Sequence, residues 1–200
     1  RMVKMIRVFN IRQCVYSWTL RLFVLLVVSG LSVSSIYAAP GSSSDEIQRG
    51  VGHRFAATDY SGKKVFIVNA SGEVEWEYET EGGCNDLWVL PNGNLLFNTG
   101  HGVTEITQDK KVVFWYTSES EIYACQRLAN GNTFIGECSS GRLLEVTPAG
   151  EIAFELKLLP EGVDGSHLFM RNARKLANGN YLVTHYMEEV VKEYEPDGTV

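Results

Sequence analysis

Three of the chain's four histidines, His101, His167 and His185, fall with Arg171 in or beside segments without strand-like alternation, and Asp86, Glu121, Tyr123 and Asp164 fall in or next to the same kind of segment. An imidazole can act as a general base, ligate a metal or donate to an anionic oxygen, and a neighbouring guanidinium suits sulfate, phosphate or carboxylate. If the fold gathers these segments, His101, Tyr123, His167, Arg171 and His185 are the expected binding residues for a small anionic ligand. The catalytic candidates are His101, His167, His185 and Arg171. The plain alternative is that loops are polar in any protein.

The other reactive types point less far. Cys84, Cys125 and Cys138 lie beyond the N-terminal forty residues, and Cys125 and Cys138, thirteen positions apart on expected neighbouring strands, form a candidate disulfide. No pair has C-x-x-C spacing, so no structural zinc site is expected and no metal ligands are assigned. Glu105, Glu145 and Glu193 recur at equivalent positions. Their shared strand context favours solvated or cross-strand-paired side chains over a carboxylate cluster.

Short hairpins must position these residues. Leu90-Pro91-Asn92-Gly93-Asn94, Leu128-Ala129-Asn130-Gly131-Asn132 and Leu176-Ala177-Asn178-Gly179-Asn180 each end an apolar run, and Asn-Gly suits a type I′ turn with positive φ at both central residues. A second recurring turn follows at Asn69–Glu73, Gln108–Lys111, Thr147–Glu151 and Glu195–Thr199, spaced 38, 40 and 48 residues apart from Gly72 through Lys110 and Gly150 to Gly198. The last interval holds an insertion around Leu159–Ser166. Repeats of roughly 40 to 50 residues with four short strands each predict an all-β fold, a β-propeller of four-stranded antiparallel blades. The folded part, 51–200, has room for three to four blades and stops inside a hairpin, which predicts an incomplete ring truncated at its C-terminus.

In an up-and-down blade the first and third connections share one face, and the second connection shares the other with the blade-to-blade segments. Tight turns therefore occupy one face and variable loops the opposite one, which carries the histidines. Function is expected on that loop face. The aromatic fourth strands, Trp76-Glu77-Tyr78, Phe114-Trp115-Tyr116 and Phe154-Glu155-Leu156, are expected to pack between blades.

The net charge of −6 and the lack of a basic patch argue against nucleic-acid binding. Basic residues Arg1 to Arg21 precede the apolar run Leu22–Leu31, and Ala38-Ala39 stand before Pro40. This reads as a signal peptide over 1–39, followed by a polar linker over 40–50. The expected localisation is export to the periplasm or the cell exterior, with no membrane contact after cleavage. An uncleaved anchor is the alternative.

The combined pattern Leu-(Pro/Ala)-Asn-Gly-Asn, then an apolar strand, then Glu-Val-Thr-Pro-x-Gly-Glu-Ile before an aromatic strand, resembles the quinoprotein-like and arylsulfotransferase-like β-propeller superfamily over about Lys63 to Val200. The arylsulfotransferase resemblance implies channel histidines and an arginine that move a sulfuryl group between phenols, for which His101, His167, His185 and Arg171 are the candidates. Quinone-dependent dehydrogenases are similar too, but their vicinal cysteine pair is absent here, so neither quinone nor calcium is expected as cofactor. Repetition without a complete catalytic motif leads first to a noncatalytic module that binds a small anionic ligand or protein partner. A sulfotransferase-like enzyme comes second and a quinone-dependent dehydrogenase third.

Overall fold

The structure, a computed structural model, describes residues 52–163 and 165–200. The expected signal peptide and linker, and Asp164, lie outside the described residues. Fourteen strands follow one another in four antiparallel sheets: blade I, β1 (Phe55–Asp59), β2 (Lys64–Val68) and β3 (Val74–Glu79); blade II, β4 (Leu87–Val89), β5 (Leu95–Asn98), β6 (Gly102–Ile106) and β7 (Val112–Thr117). Blade III holds β8 (Ile122–Arg127), β9 (Thr133–Glu137), β10 (Arg142–Val146) and β11 (Ile152–Lys157), and blade IV holds β12 (Asn172–Lys175), β13 (Tyr181–His185) and β14 (Val190–Tyr194). Every strand pairs with its sequence neighbour within its blade, so this is an arc of a β-propeller, as the repeats predicted.

The turn chemistry differs from expectation. In Leu90–Asn94 the Gly93 N–H donates to the Leu90 carbonyl at 2.8 Å and Leu90 N–H to Asn94 at 2.8 Å, and only Gly93 has positive φ, 83°. This is a three-residue loop, a turn through Pro91-Asn92 closed by a left-handed glycine, and not the two-residue type I′ turn. The paired ends are Leu90 and Asn94, which leaves one residue too many for type I′. Asn92 instead spends its side chain accepting from Asn94 N–H at 3.0 Å. The same bonds recur at Gly131 and Gly179, and also in the second turn series at Gly72, Gly150 and Gly198, so the two series share one geometry. At Gln108–Lys111 the left-handed position is held by Lys110, φ 66°, where a side chain is strained.

Blades II and III bury both faces, which explains the unbroken apolar runs of β5, β9 and β10, whereas the end blades leave Phe55, Leu182 and Val191 exposed. Successive residues of one strand serve different wedges: Leu95 and Phe97 pack toward blade I while Leu96 packs toward blade III, and Phe134 faces blade IV while Ile135 faces blade II. All five are fully buried, each contributing about 1.5–3 kcal/mol of apolar burial. Of the aromatic fourth strands, Tyr78 packs on Phe97 of blade II and Phe154 stacks on Tyr181 of blade IV, as expected, while Trp76 stacks on Tyr78 within its own strand. Trp115 departs from expectation and is 69% exposed, because its side chain alternates away from the buried Phe114.

Polar ties also join the blades. Asp86, buried before β4, accepts two hydrogen bonds from Arg174 of β12, at 2.7 and 2.8 Å, and one from Cys125 N–H of β8 at 2.9 Å. Trp88 donates to the Cys125 carbonyl at 2.6 Å, and Arg174 lies over the Trp88 ring. Asn98 accepts from Asn85 and Asp86 N–H, both at 2.8 Å, and donates to Ile122 C=O at 2.6 Å. The recurring glutamates are paired as expected, but two of them pair between blades. Glu105 is bound by Arg127 at 2.5 Å, and Glu145 by Lys175 and Tyr181. Glu193 accepts from Asn178 and Asn180 within blade IV.

Two outcomes are expected in urea denaturation. Replacing Lys110→Gly relieves its left-handed strain and stabilises by about 0.5–1 kcal/mol, whereas Gly93→Ala introduces it and costs about 1–2 kcal/mol. Breaking the central tie with Arg174→Met leaves Asp86 buried and costs roughly 2–4 kcal/mol, while Asp86→Asn/Arg174→Met costs less than the single change.

Candidate ligand-binding site

The loop face is built by backbone bonds that run from blade to blade. Ile122 N–H donates to Gly100 C=O at 2.6 Å and Ser118 N–H to His101 C=O at 2.9 Å, so the β5–β6 turn holds the segment leading to β8. Cys138 N–H then donates to Glu121 C=O at 2.7 Å, fixing Glu121 beside the β9–β10 turn. The Cys138 thiol donates to His167 C=O at 2.9 Å, and Phe169 N–H closes a turn onto Ser166 at 2.9 Å. Arg171 N–H starts the blade IV ladder on Thr184 C=O at 3.1 Å.

These anchors converge on one group of side chains. His167 Nδ1 bonds to the Glu121 carboxylate, and His167 Nε2 lies 3.0 Å from Arg171 Nη2. A guanidinium only donates, so Nε2 is the acceptor and the Nδ1–H donates to Glu121. The ring is thereby held as one neutral tautomer. Arg171 sits over Tyr123, 4.6 Å from its centroid, and 5.6 Å from that of Tyr186, positions that favour the cation over both π faces. His167 meets the edge of Tyr123 at 5.9 Å. Burial, and then the negative charge of Glu121, push the Tyr123 phenol above its ordinary pKa.

Of the expected binding residues, Tyr123, His167 and Arg171 are brought together, with Glu121. His101 lies exposed in the β5–β6 turn, and its ring makes no hydrogen bond, ion pair or ring contact with the others. His185 is not brought into the group. It is 2% exposed inside blade IV, its Nε2 2.9 Å from Tyr194 Oη and its ring edge-on to Phe169 at 5.0 Å. Burial, and then Lys192, lower its pKa, so its neutral form is the favoured one. Asp86 belongs to the interior tie. Tyr186, in the β13–β14 loop beside His185, joins the group although it is not among the expected residues, since its place in a loop is the one signal its spacing carries.

The candidate disulfide does not form: Cys84, Cys125 and Cys138 are free and buried. Cys125 lies opposite Ile135, three residues short of Cys138, an offset of about 10 Å along the strand and beyond the roughly 7 Å that a bridge spans. Burial pushes the Cys84 thiol up to about 11 and raises those of Cys125 and Cys138, which suits packing rather than nucleophilic chemistry. Among the described residues no group of three or more His, Cys, Asp or Glu side chains could hold a metal ion.

Glu137, at the end of β9 on the same face, shows how arginines are otherwise used here. Its side chain is fully buried and accepts from Arg142 Nε and Nη2 at 2.6 and 2.9 Å and from Ser140 at 2.7 Å. Arg54, Arg127 and Arg174 likewise pair with carboxylates. Among the described residues Arg171 is the arginine without a carboxylate partner.

No family model matches the chain, and no curated protein does. Among solved structures, it is similar to a protein of unknown function from Bacteroides caccae, at 27% identity and a TM-score of 0.63, covering 73% of this chain and 56% of that one. It is also similar to the WD40 β-propeller domain of Doa1, at 14% identity and a TM-score of 0.56, covering 70% and 46%. Virginiamycin B lyase from Staphylococcus aureus matches at 16% identity and a TM-score of 0.53, covering 73% and 53%. The chain thus spans about half the length of these structures, and the fold places it among the β-propellers.

For Glu137, burial alone would raise the pKa, but the Arg142 and Ser140 hydrogen bonds outweigh it and the pKa is lowered. Its stabilisation is therefore complete above the ordinary carboxylate range and lost as pH falls through the lowered value. Urea midpoints followed from pH 7 into acid should fall less steeply in Glu137→Gln, which also starts lower at pH 7.

Proposed function

We propose that this chain belongs to an exported β-propeller that binds a small anionic ligand on its loop face, with Arg171 as the anion-binding group. One observation carries the reading: Arg171 is held in place by two tyrosine faces and a histidine nitrogen, none of which neutralises it, whereas every other described arginine is satisfied by a carboxylate. A partly exposed guanidinium pre-organised in this way suits the paired oxygens of a carboxylate, sulfate or phosphate. Tyr186, 59% exposed at the rim, offers a face on which an aromatic ligand body can stack. Export remains the reading of the N-terminal segment.

A second reading, a sulfotransferase-like enzyme, draws support from the Glu121–His167 pair. A carboxylate that fixes the histidine tautomer is the arrangement of a general base, with Nε2 as the working nitrogen. Nε2 is occupied by Arg171 here, so catalysis on this plan needs the ligand to draw the guanidinium away.

One titration separates the readings. With 4-nitrophenyl sulfate and phenol added to the full chain, calorimetry is expected to show binding that Arg171→Ala weakens at least tenfold and His101→Ala leaves unchanged. Unaltered affinity in Arg171→Ala overturns the site. Release of 4-nitrophenol that disappears in His167→Ala establishes the enzyme, and binding without release establishes the module.

A further inference from the structure

The outermost strands β3, β7 and β11 occupy equivalent places, each with its outer backbone edge unpaired among the described residues. Each carries a bulge at the same point, opposite Ile67/Val68, Glu105/Ile106 and Glu145/Val146. Their outward side chains differ. At equivalent exposed positions β3 presents Glu75, Glu77 and Glu79, and β11 presents Ala153, Glu155 and Lys157, charges that discourage another strand from pairing. β7 presents Val113, Trp115 and Thr117, with Val113 and Trp115 47% and 69% exposed. Blade II therefore has the one uncharged outer edge of the three.

We infer that β7 is a self-association edge, on which two copies of this chain pair antiparallel through a two-fold axis at Trp115. The charges at the strand ends choose the occupant. Lys110 and Lys111 precede β7, and Ser118 and Glu119 follow it. A two-fold at Trp115 that keeps the sheet faces continuous sets the lysine end of each copy beside the Glu119 end of the other, twice per dimer. Lys111 and Glu119 are exposed, and neither joins an ion pair among the described residues. Parallel stacking would set lysine on lysine. The pairing joins backbone groups over Val113–Thr117 and sets the two Trp115 rings across from each other, where aromatic cross-strand pairs are favourable. Trp115 also borders the groove toward blade I lined by Tyr78, Phe97 and Thr104, which extends the apolar surface covered in the dimer. Pairing on this edge does not depend on the ligand of the Arg171 group.

Sedimentation equilibrium of the full chain tests this, with circular dichroism confirming that each variant is folded. A concentration-dependent dimer is expected, abolished by Trp115→Glu. Lys111→Glu and Glu119→Lys are each expected to weaken it about tenfold, and their combination to recover most of the loss. A monomer at all concentrations, as when another segment of the chain covers β7, overturns the inference. So does a dimer indifferent to Trp115→Glu, or a charge-swapped pair weaker than both single variants.

Discussion

The Asp86 carboxylate is the point on which this arc turns. It lies before the inner strand of blade II, takes a backbone N–H from the inner strand of blade III and holds both terminal nitrogens of an arginine from the inner strand of blade IV. Inner strands are the narrow end of each wedge. A buried charge there must be matched or it is costly, so the three blades are compelled into one relative placement. Trp88 reinforces this by donating to the same residue of blade III while its ring receives the Arg174 guanidinium. The wide end is filled differently, by Tyr78 against Phe97 and Phe154 against Tyr181.

Both Arg171 and Arg174 come from the few residues that lead into and form β12, and their opposite fates follow from direction. Arg174 turns inward to a carboxylate. Arg171 lies at the loop end of the strand, where tyrosine faces and a neutral imidazole receive it without cancelling its charge. A rigid inner strand thus supplies one arginine to stability and presents the other, and the turn at Ser166–Phe169 sets His167, four residues earlier, within hydrogen-bond reach of it.

Much of the fold was legible in the sequence because its signals are local. Leu-x-Asn-Gly-Asn marks a chain reversal whatever surrounds it, and a short unbroken apolar run between turns, such as Leu95–Phe97, marks a strand buried on both sides. Even so, the turn type differs from the one Asn-Gly predicts. Asn-Gly is compatible with two loop lengths, and the choice depends on whether Leu90 pairs with Asn94, a matter of strand register. The site was legible in part. The loop face, His167, Arg171 and Tyr123 followed from topology, whereas His101 and His185 looked equivalent to His167 and are not.

By itself the sequence determined the repeat, the order of strands, the face that carries variable loops and the outward charge pattern of each edge strand, since each is a property of neighbours in the chain. Only the tertiary structure decided that Asp86 meets Arg174, 88 residues away, that Cys125 and Cys138 stay apart, that His185 is sealed against Tyr194 and that Arg171 alone among the described arginines meets no carboxylate. Those outcomes rest on contacts between blades, where burial and the need to satisfy charge select among partners that the chain's own spacing leaves equivalent.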